Sequence, residues 1–204
     1  TGLMGGHMAQ NLLTAGHHIL AWNRTASKAN FLRASGGIVV ETCDTAIKDA
    51  DIIISMLSDG PTVLRIITDS KNTKSLKAGA TWIDMSSTKP EEARAQSSAL
   101  QAFDVSHLDA PVSGGTKGAE GATLAIMAAG EKHIFNRVKS VLEVLGRPVY
   151  VGSSGCGQLS KLANQGIVAV TIGAVAEAML LLERGGADTA AVRAALRGGF
   201  ADST

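Results

Sequence analysis

The chain has 204 residues, a formal net charge of +1, 45% hydrophobic residues and only 3% aromatic residues. This composition favours a compact α/β protein and argues against a nucleic-acid or membrane-surface protein, since such proteins concentrate basic charge or stacking rings. Cys43 and Cys156 lie far apart without metal-ligand spacing. They predict a cytoplasmic protein with reduced cysteines, and no metal site is expected.

Short β-branched runs alternate with amphipathic segments, which is typical of βαβ units and predicts a parallel sheet. Strands are predicted at residues 18–22, 38–40, 51–57, 80–85, 105–108, 124–129 and 149–151. Helices are predicted at residues 5–15, 26–35, 131–145 and 189–197, and from about residues 61, 90 and 158 onward. Gly16 should end the first helix, and Pro90 should begin the helix that follows the strand at 80–85.

The pattern changes after Gly157, where helical segments continue and no strand returns. A domain boundary is therefore predicted between residues 156 and 157. The apolar stretch at 166–182 contains Glu177 and is marginal in length for crossing a bilayer, so a buried helix is predicted there and no membrane span. The histidines are expected on helix surfaces and turns, without a catalytic or metal-binding role.

The segment Thr1-Gly-Leu-Met-Gly5 matches the second half of the G-x-G-x-x-G pattern. Gly2 would let a pyrophosphate approach the backbone closely, and Gly5 would let the helix pack tightly on its strand. The first glycine of the pattern and its strand would then precede residue 1. An ordinary glycine turn before a helix is the alternative.

A dinucleotide fold contacts the adenosine ribose about 20 residues after its glycines. Near that position the chain has Asn23, Arg24 and Thr25, where an enzyme that uses NAD has an acidic residue. Arg24 can pair with a 2′-phosphate, and Asn23 and Thr25 add uncharged hydrogen-bonding groups. These residues predict NADP rather than NAD, with an ordinary polar loop as the alternative.

Lys161 lies at the head of the longest apolar helical stretch, and Asn164 follows on the same helical face. Such a lysine can either extend its ammonium to solvent or point with Asn164 into a cleft. Ser113, Gly114 and Gly115 form a candidate anion-binding turn, because glycines after a strand expose backbone N–H groups. A tight loop between strands explains the same three residues equally well.

Four segments in order carry a resemblance: residues 2–5 with 8–12, residues 23–25, residues 109–115 with 121–124, and residues 155–165. The chain resembles the β-hydroxyacid dehydrogenases, which include 3-hydroxyisobutyrate dehydrogenase, tartronate semialdehyde reductase and 6-phosphogluconate dehydrogenase. The resemblance implies a Rossmann-like NADP-binding domain at residues 1–156 that lacks its first strand. It further implies a connecting helix and the beginning of an all-α domain at residues 157–204, and a homodimer or homotetramer.

The resemblance also implies roles in the reduction of a small carboxylated aldehyde by hydride transfer. Lys161 matches the family's catalytic lysine, which protonates the forming alkoxide. Substrate contacts are implied for Ser113, Gly114, Gly115, Asn164 and Gln165. Cofactor contacts are implied for Gly2, Leu3, Met4, Gly5, Asn23, Arg24, Thr25, Met56, Leu57 and Ser87.

Gln165 narrows the implied substrate. In 6-phosphogluconate dehydrogenases a histidine accompanies the asparagine that matches Asn164, and this chain has none there. In 3-hydroxyisobutyrate dehydrogenases a second asparagine tends to follow. The Asn164–Gln165 pair looks more like that of tartronate semialdehyde reductase, which forms D-glycerate. The alternatives are 3-hydroxyisobutyrate, another short-chain semialdehyde or glyoxylate as substrate, and, from another class, a dinucleotide-binding sensor without catalysis.

Overall fold

The computed structural model describes residues 1–199 and residue 201. Contacts between residues divide the chain into two compact units, Thr1–Lys161 and Leu162–Thr204. The first unit contains every strand of the described residues, and the second is helical. The first unit is therefore an α/β unit, and the architecture is the Rossmann-like fold that the sequence predicts, followed by a long helix.

Eight strands are present in the described part of the chain: β1 Leu20–Ala21, β2 Ile38–Val39, β3 Ile52–Ser55, β4 Thr81–Asp84, β5 Ser106–Asp109, β6 Val112–Ser113, β7 Leu124–Gly130 and β8 Gly146–Gly152. The helices are α1 Leu3–Thr14, the 3₁₀ helix η1 Ala26–Ser35, α2 Cys43–Ile47, α3 Gly60–Thr68, α4 Ser70–Ser75, α5 Pro90–Gln101, α6 Gly115–Glu120, α7 Lys132–Glu143, α8 Cys156–Arg184 and α9 Thr189–Leu196.

Local signals set the ends of several helices as expected. Gly16 follows α1 with a φ of 87°, a left-handed conformation that ends a helix readily in glycine. Pro90 is the first residue of α5, where its missing N–H costs no hydrogen bond. The Asp59 carboxylate accepts from the Thr62 N–H at 2.8 Å and caps the beginning of α3.

The strands form a mixed sheet, so the prediction of a parallel sheet is wrong for part of it. The pairs β3–β4, β4–β5 and β7–β8 are parallel, whereas β7 runs antiparallel to both β5 and β6. Only residues 114–123, which include α6, connect β6 to β7. This connection is too short for the crossover of a dozen or more residues that parallel strands need.

The pair β1–β2 forms a separate parallel ribbon beside the six-stranded sheet. A cavity of about 640 Å³ lies between β1 and β3. Its apolar lining includes Met8 and Leu12 of α1, Ile19 next to β1, and Ile52 and Ile54 of β3. The polar residues His18, Lys48 and Asp51 also line this cavity, so the two sheets border a space of mixed polarity.

Helix α8 extends over 29 residues and is long and apolar enough to cross a bilayer by length and composition alone. Its side chains beyond Lys161 are largely exposed in the described chain, with Ile167 at 68% and Val170 at 72%. The burial predicted for residues 166–182 is therefore not found among the described residues. Among the described residues of the second unit, the short helix α9 is the other helix, and it cannot cover so long an apolar surface.

Candidate active site

The glycine turn forms the beginning of α1. Gly2 is the residue before the first helical turn, and this helix has neither a side-chain cap nor an acidic residue in its first turn. The unpaired N–H groups and the positive end of the helix dipole are then directed toward solvent. This end of α1 fits a pyrophosphate, which such helix ends bind through backbone N–H groups.

Other predicted cofactor residues lie next to this turn. A Cβ on Gly5 would lie 3.4 Å from the Cβ of Met56, so the loop after β3 packs directly on the glycine turn. Asn23 accepts from the backbone nitrogen of Thr1 at 3.2 Å and donates to the Thr25 carbonyl at 2.9 Å. These contacts bring the glycine turn together with the loops after β1 and β3.

A pocket of about 470 Å³ opens beside the turn, and it contains a residue that the sequence interpretation missed. Gly2, Leu3, Lys28 and Phe31 are among its lining residues. Lys28 places a basic side chain at this pocket, four residues after the exposed Arg24 in the chain. In the sequence, the position of Lys28 four residues after Arg24, at the beginning of η1, could have indicated it.

Leu57 is joined to Ser86, the residue before Ser87, at the ends of β3 and β4. The Leu57 N–H donates to the Ser86 hydroxyl at 2.9 Å, and that hydroxyl donates to the Asp84 carboxylate at 2.6 Å. Ser55 also donates to Asp84, at 2.8 Å. Burial raises the pKa of Asp84, and these hydrogen bonds oppose the shift. The exposed Ser87 follows directly, at the carboxyl edge of the sheet where ligands bind in such folds.

Ser113, Gly114 and Gly115 lie where β6 ends and α6 begins. Gly114 has a φ of 133°, which only glycine adopts without strain, and Gly115 has a φ of 60°. Successive residues of unusual backbone conformation turn their N–H groups to one side and can form an anion-binding concavity. Gly114 and Gly115 are exposed and Ser113 is half-buried, so the turn is accessible to a ligand.

The first turn of α8 is held against β5 and β7. The buried Asp109 carboxylate accepts from the Gly155 N–H at 2.9 Å and from the Gln158 N–H at 3.0 Å. A Cβ on Gly157 would lie 2.6 Å from the carbonyl oxygens of both Asp109 and Met127. Helix and strands therefore approach as closely as a backbone without a side chain allows. Burial raises the pKa of Asp109 while the backbone hydrogen bonds oppose the shift.

Lys161 follows Gly157 by one helical turn and lies on the same side of α8. This side faces β5 and β7, and β6 with Ser113 pairs with β7 at Ala125. Lys161 is half-buried, and desolvation lowers the pKa of its amine. A lysine with a lowered pKa exchanges protons more readily near neutral pH than an ordinary one.

Asn164 and Gln165 belong to the second unit. The Asn164 amide donates to the Gln165 side-chain oxygen at 3.1 Å, so the two side chains form one polar pair. Their contribution to a site with Lys161 stays a prediction.

One expectation about the histidines is wrong. His107 lies in β5 and is buried, with 6% of its surface exposed, rather than on a helix surface or turn. Strand β5 lies inside the sheet between β4 and β7, and helices α5 and α7 pack against it, so its side chains are shielded from water. Burial lowers the pKa of His107 to about 3, which keeps the imidazole neutral.

Comparison with known proteins identifies two family models along the chain. Residues 1–154 match the NAD binding domain of 6-phosphogluconate dehydrogenase, and residues 155–204 match the NAD-binding segment of NADP-dependent 3-hydroxyisobutyrate dehydrogenase. The chain is 42% identical to 2-hydroxy-3-oxopropionate reductase of Escherichia coli, over 99% of this chain and 70% of the relative. It is 35% identical to a probable 3-hydroxyisobutyrate dehydrogenase of Mycobacterium tuberculosis, over 90% of this chain and 62% of the relative.

Solved structures show the same fold. The structure of 3-hydroxyisobutyrate dehydrogenase from Mycobacterium tuberculosis with L-serine matches with a TM-score of 0.92 and 32% identity, over 99% of this chain and 69% of that one. An imine reductase from Myxococcus stipitatus with NADP+ matches at 23% identity and a TM-score of 0.84, over 97% of this chain and 68% of that one. At that identity the likeness concerns the fold alone. The family models and the curated relatives together establish that the chain belongs to the β-hydroxyacid dehydrogenases, NAD(P)-dependent oxidoreductases that act on CH–OH groups.

Proposed function

We propose that the protein is an NADP-dependent reductase that converts tartronate semialdehyde to D-glycerate, with Lys161 as the proton donor. The observation that carries the catalytic part is the packing of the first turn of α8. Gly157 and Asp109 fix this turn against β5 and β7, Ser113 lies in β6 beside β7, and Lys161 lies one turn further along the helix. A proton donor and an anion-binding turn are then presented by the same part of the fold.

Each residue has a separate task in the reduction. A bound nicotinamide would supply the hydride. The Lys161 ammonium donates a proton to the forming alkoxide and stabilises its negative charge. The Ser113 hydroxyl and the N–H groups of Gly114 and Gly115 hold the substrate carboxylate, and Asn164 and Gln165 orient the substrate.

The residues around the glycine turn bind the parts of the cofactor in this proposal. The N–H groups of residues 2–5 bind the pyrophosphate, and Met56, Leu57 and Ser87 border the nicotinamide half. Arg24 binds the 2′-phosphate of NADP, supported by Asn23 and Thr25. Lys28 lines the pocket beside the glycine turn and supports this assignment, since a second cation near Arg24 in the sequence would help to hold a doubly charged phosphate.

The domain arrangement is also part of the proposal. Residues 1–156 form the NADP-binding domain, and residues 157–204 form the connecting helix and the beginning of an all-α domain. The cavity of about 640 Å³ between β1 and β3 supports a further strand at that place, because it separates strands that would otherwise lie side by side. A soluble cytoplasmic homodimer or homotetramer is the expected form.

The choice of substrate is supported by the 42% identity to a 2-hydroxy-3-oxopropionate reductase and by the Asn164–Gln165 pair. The second candidate is 3-hydroxyisobutyrate, which the relationship to 3-hydroxyisobutyrate dehydrogenases favours.

A substrate panel tests the proposal. The chain, with any flanking residues that its gene encodes, is assayed for NADPH consumption with tartronate, methylmalonate and succinic semialdehydes and with glyoxylate. We expect the highest kcat/KM with tartronate semialdehyde. A higher kcat/KM with methylmalonate semialdehyde would establish the second candidate, and no turnover with any of the four would favour a sensor.

A further inference from the structure

The side-chain amide of Gln158 joins the loop around Ser87 to the first turn of α8. Gln158 is 1% exposed, and both ends of its amide are hydrogen-bonded. Its Nε2 donates to the Ser86 carbonyl at 2.9 Å, and its Oε1 accepts from the Thr88 N–H at 2.9 Å. The Gln158 side-chain amide is therefore hydrogen-bonded to the backbone on both sides of Ser87.

The loop at residues 86–88 is also hydrogen-bonded to the ends of β3 and β4. The Ser86 hydroxyl accepts from the Leu57 N–H at 2.9 Å and donates to the buried Asp84 carboxylate at 2.6 Å. Movement of the loop would therefore break contacts with β3 and β4 as well as with α8. These hydrogen bonds tie the loop to the turn after β3, and both are proposed to border the nicotinamide half.

The same residue is fixed on the helix side. The Gln158 backbone N–H donates to the buried Asp109 carboxylate at 3.0 Å, next to the close contact of Gly157 with β5 and β7. Lys161 lies three residues further along α8, a rise of about 4.5 Å. Between the Gln158 amide and the Lys161 amine, the helix backbone is rigid, and the freely rotating bonds are those of the Lys161 side chain.

We propose that Gln158 is a positioning residue that sets the distance between the cofactor loop at Ser87 and the amine of Lys161. The inference rests on the proposed function, in which Ser87 borders the nicotinamide and Lys161 donates the proton. Hydride and proton must reach adjacent atoms of one carbonyl group. A misplacement of about 1 Å in such an arrangement can reduce turnover on the order of 100-fold.

Two substitutions separate positioning from packing. Gln158→Leu keeps most of the buried volume and removes both side-chain hydrogen bonds. Gln158→Glu provides one donor and one acceptor only when its carboxyl group is protonated, and when ionised it presents an oxygen to the Ser86 carbonyl. Ser160→Ala is the control, since within the described part of the chain the Ser160 hydroxyl bonds only inside α8, to the Cys156 carbonyl at 2.8 Å.

The kinetic test is NADPH consumption with tartronate semialdehyde. We expect Gln158→Leu to lower kcat on the order of 100-fold, while the KM for NADPH changes by less than about threefold and Ser160→Ala matches the unmodified protein. For Gln158→Glu, the ratio of its kcat to that of the unmodified protein should rise as pH falls from 8 to 5.5. A retained kcat in Gln158→Leu, or a ratio for Gln158→Glu that is independent of pH, would overturn the inference.

A second readout needs no turnover, so failure of the proposed function can be distinguished from failure of the role assigned to Gln158. NADPH binding should slow amide hydrogen exchange in residues 158–162 of the unmodified protein, because the loop transmits cofactor binding to α8. This slowing should be lost in Gln158→Leu and kept in Ser160→Ala. If no semialdehyde is reduced, the proposed substrate fails, and equal slowing in all three proteins would separately overturn the role of Gln158.

Discussion

Replacing Gly157 with alanine places a methyl group where the structure has no room for one. The new Cβ would lie 2.6 Å from the carbonyl oxygens of Asp109 and Met127, so the beginning of α8 must move by about 0.8 Å to regain an ordinary contact of 3.4 Å. Both obstructing atoms belong to the backbone of central strands and cannot rotate away. The helix is therefore the part that moves, and Lys161 moves with it.

The size of the effect follows from two opposing contributions. Overpacking of this kind costs about 1–3 kcal/mol, whereas alanine gains up to about 1 kcal/mol over glycine in a helix. The expected net loss of about 1–2 kcal/mol lowers the Tm by roughly 2–8 °C in a chain of this size. A shift of the amine approaching 1 Å should lower kcat on the order of 10- to 100-fold.

Thermal unfolding and NADPH consumption measure the two effects on the same samples. The control is Gly173→Ala in the same helix, where a Cβ meets nothing within 4 Å. This control should raise the Tm slightly and leave kcat unchanged. A Gly157→Ala protein as stable and active as the control would refute the close packing of α8 on β5 and β7.

Three further predictions concern charge. Arg24→Ala should raise the KM for NADPH with little effect on that for NADH, since it removes a partner of the 2′-phosphate; an unchanged ratio of the two KM values would remove the NADP assignment. The kcat for reduction should fall with rising pH through a pKa below the ordinary lysine value, because burial lowers the pKa of Lys161 and only the ammonium donates a proton. A rate that stays level up to pH 10 would contradict that role. His107, with a pKa of about 3 when folded, takes up a proton only on unfolding between pH 6.5 and 3. As pH falls from 7 to 4.5, it should therefore lower the free energy of unfolding by about 3 kcal/mol, a loss that urea titrations should find missing in His107→Leu.

Features that depend on residues close together in the sequence could be predicted from it. The end of α1 at Gly16 and the beginning of α5 at Pro90 follow from the backbone preferences of single residues. The helix carrying Lys161 follows from a long apolar pattern. The antiparallel course of β7 could not be predicted in this way, because the short strand β6 and the helix α6 have too few residues for a clear pattern.

The contacts that organise the site join residues far apart in the chain. The Gln158 amide reaches Ser86, 72 residues earlier, and the Gln158 N–H reaches Asp109, 49 residues earlier. Neither contact has a local signal, since a glutamine near the beginning of a helix is ordinary on a surface. The prediction for His107 was wrong for the same reason, because its burial depends on helices α5 and α7, which pack against β5.

The measurement that tests the central claim most directly compares Lys161→Ala with the unmodified protein in NADPH binding and in the reduction of tartronate semialdehyde. Loss of both acid catalysis and charge stabilisation should cost about 5 kcal/mol, or roughly 10³- to 10⁴-fold in kcat, while the Kd for NADPH stays within about threefold. Lys139→Ala, which removes an exposed lysine paired with Glu143, should retain full activity. Retained turnover in Lys161→Ala would contradict the assignment of this lysine as the proton donor.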